Sequence, residues 1–483
     1  MIDFSKIESY KENNRIEAKK ALGGLPHSIW ETYSAFANTL GGIILLGVEE
    51  YRDKTFHVVN LPDPERMVAE FWSLVNNKKK VNVNILSEND VTIENINGNR
   101  IVAIRVPRAQ RYDKPVYIDS NPITGSYRRN GEGDYKCTIE EVYAMKRDAY
   151  KKTQDMKILE KIDIDAINLD SVKLYRECLK ESSQTEGLDI LDDYELLEKL
   201  GAVGLHDDGE LHPTIAGLLM FGYESEIIKE FPNFFLDFQE QLSETAQCSD
   251  RIVSASGDWS GNLFEFFIRT YEKLTKGIEI ERKESEELTI PPVFVALREA
   301  LANCLINADY YGKYGVVIIK KKDLIVLSNP GGFRIDIEKA KEGGVSDPRN
   351  GALIKMFNLI DIVEHSGSGI PNIMRVWKKQ NWSAPIITES FKPDRITLSL
   401  PIGKREKEKN LRRTSTKKSS LAIIKMAIII QYITEHISVK LSDIAEYVDL
   451  KPTTTRFFLK RMIEEGFIVA EGNGKNRVYK LKA

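Results

Sequence analysis

Hydrophobic spacing near the N-terminus predicts a helix followed by a buried strand. In residues 28–40 (SIWETYSAFANTL), apolar side chains recur at intervals of three and four, the period of a helix with one buried face. The Gly-Gly pair that follows ends this helix, because glycine readily accepts the left-handed cap conformation. Residues 43–48 are apolar throughout and predict a buried strand that carries Glu49 and Glu50 at its exposed end.

Short strand-like segments flank that helix and strand. Residues 15–20 alternate polar and apolar side chains, which favours a half-buried strand with Glu17 on its polar face. Further strands are predicted over residues 81–86, 91–93, 100–106, 115–118 and 125–129. These patterns together predict an α+β domain over residues 1–150.

The pattern changes twice in the middle of the chain. Residues 188–223 predict a helix, a polar Asp-Asp-Gly turn and a second helix that opens near Pro213, so residues 151–282 read as a helical, winged-helix-like connector. His206 and His212 flank that turn at a spacing that is not typical of a metal site, and we expect them to be structural. Residues 283–401 then predict a helix, two strands and two glycine loops.

The C-terminal region predicts a linker and a small helical domain. Residues 402–420 are basic and hold almost no apolar side chain, which favours a flexible linker. Residues 421–483 predict helices over 421–435, from 440 and over 453–465, and strands over 467–470 and 477–481. The third helix should bury Phe457, Leu459 and Met462, and a wing should join the strands. Its predicted outward side chains are Thr454, Thr455, Arg456, Lys460 and Arg461.

Length and charge narrow the class of protein. The 483 residues suggest about three domains, and 42% apolar with 29% charged residues is typical of a globular protein. No apolar run approaches the roughly 18 residues of a membrane span, no signal peptide is visible, and the four cysteines lie far apart, so we predict a cytoplasmic protein without a disulfide framework. Residues 402–483 hold 18 Lys and Arg against 9 Asp and Glu, which favours a nucleic-acid-binding tail.

The first segment resembles the Schlafen AlbA-like domain. The resemblance rests on Glu12-x4-Glu17-x-Lys19 and on SAFANTLGGIILLGVEE, which ends at Glu50. It implies a metal-dependent nuclease in which Glu12, Glu17 and Glu50 hold Mg²⁺ or Mn²⁺ for phosphodiester cleavage, since these ions prefer carboxylate oxygens. The third acid is Glu rather than the Asp of animal Schlafen proteins, and their Cys/His zinc-finger set is absent.

Two other readings of this segment stay open. Acidic residues at strand ends are usually solvated surface, and many domains of this type are assumed only to bind nucleic acid. The candidate phosphate-binding cations, each also explicable as a surface charge, are Lys19, Lys20, Arg128 and Arg129.

Residues 283–401 resemble the RecG-like C-terminal module, a relative of the α/β sandwich ATP-binding fold of gyrase, MutL and histidine kinases. Glu299 and Asn303 lie one turn apart on the predicted helix, where the resemblance implies a water-activating acid and a Mg²⁺ ligand. The remaining implied ATP contacts are Asn329, Gly331, Gly332, Gly367 and Gly369. Asn329 replaces the expected adenine-reading Asp, and a Ser-Gly-Ser-Gly turn is also a common linker, so we expect nucleotide binding more than hydrolysis.

Residues 421–483 are similar to the MarR-like winged-helix family. The resemblance implies DNA contacts from Thr454, Arg456 and Lys460 on the third helix and from Lys475 on the wing. A winged helix that binds protein is the alternative, because most cations lie on the linker and wing.

These patterns lead to two functional hypotheses. The first is a Schlafen-type endoribonuclease acting on tRNA or other RNA, with nucleotide-sensing and winged-helix modules; resemblance alone suggests a place in phage defence. The second is a nucleotide-responsive, DNA-binding transcriptional regulator without catalysis. Both imply a nucleic-acid partner and no membrane, and the sequence leaves a homo-oligomer open.

Overall fold

The structure is a computed structural model that describes most of the chain. It covers residues 12–182, 187–241, 250–280, 290–363, 367–403, 439–448, 450–464, 468–472 and 477–481, together with residues 4, 7, 10, 429, 432 and 433. Its mixture of helices and several separate sheets confirms the predicted α+β multidomain class.

The N-terminal domain is built on a four-stranded sheet in the order β1-β2-β6-β5. Only β1 and β2 are parallel. The strands and hairpins of this domain are β1 (Ile16–Lys19), β2 (Gly42–Leu46), β3 (Val48–Glu50), β4 (Phe56–Val58), β5 (Val91–Ile96), β6 (Asn99–Val106), β7 (Tyr127–Asn130) and β8 (Gly133–Lys136). The helices are α1 (Ile29–Asn38), α2 (Pro64–Val75), α3 (Pro122–Gly125) and α4 (Ile139–Ala149).

The predicted helix before the Gly-Gly pair is confirmed as α1 and the strand after it as β2. However, β2 ends at Leu46, so Glu49 and Glu50 lie on β3 and not at the end of the strand predicted over residues 43–48. Every residue of α1 except Glu31 is buried, and Trp30 stacks on Phe71 of α2 with ring centroids 5.4 Å apart. Gly41 has a φ of +72°, and a Cβ there would lie 2.8 Å from the Arg108 amide nitrogen, so the turn requires glycine. The sheet therefore has one apolar face under α1 and α2 and a second under the β3–β4 hairpin.

Two predicted strands of this domain do not form. Residues 81–86 and 115–118 lie side by side but make only isolated bridges, at Val81 with Ile118 and at Tyr117 with Ser126. The Asn82 side chain takes the place of a ladder, since its amide donates to the Pro115 carbonyl and its oxygen accepts from the Tyr117 amide. Side-chain hydrogen bonds thus hold these two segments together in place of a regular strand ladder.

The middle of the chain forms one continuous unit around a six-stranded sheet, in the order β12-β11-β13-β14-β16-β15. Its strands are β11 (Leu236–Gln241), β12 (Asp250–Val253), β13 (Val316–Lys321), β14 (Leu324–Pro330), β15 (Ile386–Phe391) and β16 (Asp394–Pro401), and a separate hairpin joins β9 (Val203–Leu205) to β10 (Leu211–Pro213). The helices are α5 (Leu169–Glu181), α6 (Asp193–Leu200), α7 (Ile215–Phe221), α8 (Glu224–Glu230), α9 (Leu263–Thr275), α10 (Pro292–Ile306), α11 (Ile337–Glu342), α12 (Gly351–Leu359) and α13 (Gly369–Lys379).

This sheet and its core run across the position where the sequence predicts a domain boundary, between residues 282 and 283. Strand β11 comes from before that position and pairs in parallel with β13, which comes after it. One hydrophobic core extends from Leu159 to Leu400. The connector helices and the ATPase-like segment therefore pack as one body.

The described C-terminal part contains two helices and a three-stranded sheet, in the order β17-β19-β18. They are β17 (Val439–Lys440), α14 (Leu441–Tyr447), α15 (Pro452–Glu464), β18 (Ile468–Glu471) and β19 (Val478–Leu481). The predicted linker from residue 404 and nearly all of the predicted first helix lie outside the described residues.

The buried face of α15 differs from the predicted one. Phe457 is 64% exposed, whereas Thr455, Phe458, Leu459 and Met462 are buried. Positions 455, 458, 459 and 462 share one helical stripe, which places residue 457 on the opposite side. The prediction that Phe457 is buried and Thr455 exposed was therefore wrong.

Candidate active site

The three predicted acids lie around one edge of the N-terminal sheet. Glu17 lies on β1 and Glu50 ends β3, and β3 runs beside β1. Gly47 turns the chain between β2 and β3 at a φ of +88°, and its amide donates to the Lys19 carbonyl at 2.9 Å. Glu12 reaches the same edge, because its Oε1 accepts from the Ala18 amide at 3.0 Å.

The three carboxylates influence one another electrostatically. Burial raises the pKa of Glu12, and the negative charges of Glu17 and Glu50 raise it further, against the opposing hydrogen bond from Ala18. The Glu17 and Glu50 side chains are only 12% and 18% exposed. The fold therefore holds three acids close together at an energetic cost, which is common at sites that bind a cation.

Two observations test whether these acids fit a divalent metal. Oε1 of Glu50 is buried and accepts no hydrogen bond from the described residues, so a carboxylate oxygen of the type that Mg²⁺ and Mn²⁺ prefer is available. The oxygens of Glu12, Glu17 and Glu50 do not all lie within 4.8 Å of one another, however. The donor set fits such an ion, and rotation of the side chains is needed to bring the three acids onto it.

Glu17 is neutralised by two cations that the sequence placed among the phosphate contacts. Lys19 Nζ lies 2.9 Å from its Oε1, and Arg129 Nη2 lies 2.8 Å from its Oε2. Arg129 is buried, pairs with Asp134 at 2.9 Å and donates to the Asn13 carbonyl. Its place is thus inside the acidic cluster, where it fixes the position of Glu17.

The other two predicted cations of this domain have different surroundings. Lys20 is exposed and pairs with Glu49 at 3.0 Å. Arg128 points away from the acids, and its Nη1 lies 2.7 Å from both carboxylate oxygens of Asp394 on β16. Lys20 can reach a bound polyanion, whereas Arg128 joins two domains.

Sequence reasoning missed two residues of this site. Lys54 contacts both Glu50, at 3.3 Å, and Glu132, at 2.7 Å, so it places an exposed ammonium beside the third acid. Asp134 adds a fourth carboxylate through Arg129. The signal in the sequence is Asn-Gly-Glu-Gly-Asp, the turn of the β7–β8 hairpin. The hairpin folds back toward β1 and carries the two acids, Glu132 and Asp134, with it.

In the ATPase-like module, the structure brings Glu299 and Asn303 together with the second glycine loop. Both side chains lie on α10, and a Cβ added to Gly369 would lie 2.6 Å from Glu299 Oε1 and 2.8 Å from Asn303 Nδ2. Gly367 has a φ of +64° and lies against the Val345 carbonyl. In this conformation the loop contacts the helix directly, which leaves no room for a phosphate group between Gly369 and these two side chains.

The first glycine loop has a different neighbourhood. Asn329 is buried on β14, and its amide donates to the Pro330 carbonyl. A Cβ at Gly331 would lie 2.5 Å from Arg349 Nη1, and one at Gly332 would lie 2.6 Å from Glu389 Oε1. These glycines therefore let the loop approach a cluster of ion pairs.

That cluster joins the N-terminal domain to the ATPase-like module. Its buried or half-buried pairs are Arg108 with Glu389 at 2.5 Å, Arg128 with Asp394 at 2.7 Å, Arg147 with Asp309 at 3.1 Å and Asp148 with Arg349 at 2.8 Å. All of these residues except Arg147 line a cavity of about 50 Å³, which is also lined by Lys114. Burial and the nearby Arg108 and Arg128 lower the pKa of Lys114 to about 7.

The predicted DNA contacts of the C-terminal region lie on α15. Thr454, Arg456 and Lys460 are exposed, on the same side as Phe457. Lys475 lies outside the described residues.

No helix among the described residues is long and apolar enough to cross a membrane.

Comparison with family models assigns three segments of the chain. Residues 12–138 match the Schlafen AlbA_2 family. Residues 315–398 match the family described as "Putative ATP-dependent DNA helicase recG C-terminal". The chain carries a Schlafen AlbA_2 domain and a RecG C-terminal-type domain. Between them, residues 143–237 match a domain of unknown function, DUF8451. These matches confirm both resemblances and indicate a nucleic-acid-related function; the winged helix stays a prediction.

Solved structures resemble the chain to different extents. The DIP2311 protein from Corynebacterium diphtheriae is 15% identical over 97% of this chain and 95% of its own, with a TM-score of 0.39. The N-terminal domain of a RecG-related protein from Nitrosomonas europaea is 30% identical over 29% of this chain and 95% of that domain, with a TM-score of 0.23. No curated protein matches the chain.

Proposed function

We propose that the protein is a metal-dependent nuclease whose preferred substrate is RNA, and that Glu12, Glu17 and Glu50 form its active site. The observation that carries the proposal is the buried Oε1 of Glu50, which accepts no hydrogen bond from the residues that the structure describes. It lies beside Glu12, whose pKa is raised by burial and by its acidic neighbours. A buried acceptor without a partner is costly unless a ligand satisfies it. A bound Mg²⁺ or Mn²⁺ would neutralise charge on the phosphate and supply a hydroxide.

The surrounding residues have separable tasks in this proposal. Arg129 and Lys19 hold Glu17 in place through its two oxygens, while Lys54 and Lys20 present ammonium groups at the rim for a phosphate backbone. Because Lys54 contacts both Glu50 and Glu132, a bound phosphate that draws Lys54 away from Glu50 would also free the Glu50 carboxylate.

The test is cleavage of labelled tRNA, single-stranded DNA and duplex DNA by the purified full chain, with Mn²⁺ and with EDTA. Glu12→Gln, Glu17→Gln and Glu50→Gln should each lower the rate by about 100-fold or more, since each removes a charge from the ion and little volume. Glu49→Gln is the matched control: among the described residues this neighbouring acid forms its ion pair with exposed Lys20 alone, and its substitution should leave the rate nearly unchanged. Full activity in all three variants would refute the assignment.

A second function is favoured by the double neutralisation of Glu17. A carboxylate held by Lys19 and Arg129 is less available to a metal, which suits a domain that only binds nucleic acid, as in a nucleotide-responsive transcriptional regulator. The same experiment separates the two. Tight binding of nucleic acid without cleavage in either Mn²⁺ or Mg²⁺ supports the regulator.

We also propose that the RecG-type module binds ATP only after the first turn of α13 moves away from α10. The contact of Gly369 with Glu299 and Asn303 is the basis for this proposal. Calorimetry with ATP, GTP and buffer tests it: we expect weak binding and little discrimination, because Asn329 offers adenine a neutral acceptor. Tight and ATP-selective binding would refute it.

A further inference from the structure

The β9–β10 hairpin brings together three side chains that the sequence did not assign to a site. His206 follows β9, Asp208 lies in the turn, and His212 lies on β10. Asp208 Oδ2 is 2.9 Å from His212 Nε2 and 3.6 Å from His206 Nδ1, and the three residues each offer one ligand atom within 4.8 Å of the other two. The hairpin register, which places Leu205 opposite Leu211, folds the six-residue spacing back on itself.

These separations suit a metal ion. Zinc binds imidazole nitrogen at about 2.0–2.1 Å and carboxylate oxygen at about 2.0–2.2 Å, so ligand atoms at tetrahedral angles lie roughly 3.3 Å apart. The two observed distances fall on either side of that value. The prediction that the two histidines are structural rested on their spacing along the chain. Across a hairpin, that spacing does not exclude a shared metal ion.

Each imidazole is also oriented through its other nitrogen. His212 Nδ1 lies 3.0 Å from the Ile162 carbonyl, which can only accept, so Nδ1 carries the proton and Nε2 faces Asp208. His206 Nε2 lies 3.4 Å from Glu160 Oε1, which directs Nδ1 inward. Metal-binding histidines typically have such a second acceptor, because it fixes the tautomer and the ring orientation.

The inward nitrogen of His206 lacks a hydrogen bond within the part of the chain that the structure describes. Its Nδ1 is buried and makes no hydrogen bond with the described residues, although an acidic oxygen lies 3.6 Å away. In the neutral tautomer, His212 likewise points a lone pair at the Asp208 carboxylate. A cation between these atoms would give His206 Nδ1 a partner and would also separate the His212 lone pair from the carboxylate. A proton on His212 would correct only the second of these two contacts.

We propose that the hairpin binds one divalent transition-metal ion, Zn²⁺, through His206 Nδ1, Asp208 Oδ2 and His212 Nε2. Two imidazoles and one carboxylate favour ions such as Zn²⁺ over Mg²⁺, which prefers oxygen ligands. Asp208 is 47% exposed and His206 26%, so the fourth position faces solvent and is available to water. This site is separate from the acidic cluster of the proposed nuclease and does not depend on it.

The metal would hold the hairpin closed and attach it to its neighbour. The Leu159 amide donates to the Pro213 carbonyl, so the segment that contributes Glu160 already runs beside β10. Metal binding would orient His206 and His212 against Glu160 and Ile162 and so stabilise this junction. We therefore expect the ion to raise the melting temperature.

Zinc binding by the full chain without a histidine tag tests the proposal. The protein is stripped with EDTA and dialysed against Zn²⁺ with excess Mg²⁺, so that Mg²⁺ occupies sites built from carboxylates alone. We expect one Zn²⁺ per chain, a rise in melting temperature, and the visible absorption of tetrahedral Co²⁺ when Co²⁺ replaces it. His206→Gln and Asp208→Asn should each weaken binding by at least about tenfold and abolish the thermal shift.

Matched variants make the result decisive. His27→Gln removes an exposed histidine elsewhere and should bind Zn²⁺ like the unaltered chain. Glu50→Gln should also keep the zinc, which separates this site from the proposed nuclease site. Melting of each variant in EDTA shows whether its fold is intact. Absence of stoichiometric zinc, or equal binding by His206→Gln and Asp208→Asn, would overturn the proposal.

Discussion

Replacing Asp148 by Asn should loosen the contact between the Schlafen domain and the RecG-type module. Asp148 receives two parallel bonds from Arg349, at 2.9 and 2.8 Å, and the two side chains are only 28% and 10% exposed. The substitution keeps the shape of the side chain but leaves Arg349 without its carboxylate. The guanidinium keeps acceptors at the Asn307 and Gly332 carbonyls, so it stays partly satisfied.

The expected cost follows from that environment. Removing one partner of a fully buried ion pair costs about 3–5 kcal/mol, and exposed pairs contribute about 0–1 kcal/mol. Because Asp148 retains some contact with water and Arg349 keeps two carbonyls, we expect about 2–3 kcal/mol. Hydrogen exchange in peptides covering residues 143–156 and 331–350 should then accelerate roughly 30- to 150-fold if opening of this interface limits exchange.

Two further variants show whether faster exchange comes from loss of the Asp148–Arg349 ion pair. Asp170→Asn removes an acid that is 86% exposed and pairs with Lys173 on one helix, and it should change exchange little. The double variant Asp148→Asn/Arg349→Met should recover part of the loss, since it removes the uncompensated cation. An acceleration below about threefold for Asp148→Asn would refute the idea that this pair holds the two domains together.

Lowering the pH should accelerate hydrogen exchange in the same peptides as Asp148→Asn does. Burial alone would raise the pKa of Asp148, but Arg349, Arg334 and Arg147 more than offset it and lower the pKa below its usual 3.8. The stabilisation is therefore complete above that value and is lost as the pH falls through the lower pKa of the folded state. The exchange of Asp148→Asn should depend less on pH in this range.

Three other predictions concern separate parts of the chain. Lys114→Met should raise the melting temperature at pH 7 and below, by about 2–4 °C for each kcal/mol recovered, because protonated Lys114 is disfavoured in the folded state. This gain in melting temperature should shrink as the pH rises from about 7 toward 10.5. An unchanged melting temperature at pH 6 would contradict the prediction. Glu12→Gln should also melt higher than the unaltered chain at pH 7, because its raised pKa makes ionisation of the folded state unfavourable, and the difference should vanish below about pH 4.5. Deleting residues 412–483 should weaken duplex-DNA binding and flatten its salt dependence by about 0.9 in log-log slope for each lost phosphate contact; an unchanged slope would assign DNA binding to the rest of the chain.

Local patterns predicted the parts of the fold that local forces determine. The buried helix α1 and strand β2 could be predicted from apolar spacing alone, since both bury nearly every side chain. The pattern placed Glu50 at the end of the strand over residues 43–48, but Gly47 turns the chain after β2, so Glu50 ends β3 instead. The strands predicted over residues 81–86 and 115–118 do not form, because the Asn82 side chain takes the place of a backbone ladder between them.

Long-range partners explain the remaining differences. Arg128 reads as a phosphate ligand in the sequence, but its carboxylate partner, Asp394, lies 266 positions away and becomes visible only in the structure. The spacing of His206 and His212 excludes a helical metal motif but not a hairpin, which brings both imidazoles next to the Asp208 carboxylate. The exposed face of α15 depends on which of two adjacent phenylalanines packs inward, and the local pattern supports either.

The parallel pairing of β11 with β13 has a consequence for how such proteins are assembled in evolution. A gene fragment encoding only residues 283–401 would carry β13 without the strand that covers its edge, and an open edge of this kind invites pairing with other chains. Recombination that preserves folding must therefore transfer the preceding segment together with the RecG-type part. The segment of this chain that must be inherited as one piece is therefore longer than the segment that matches the RecG C-terminal family.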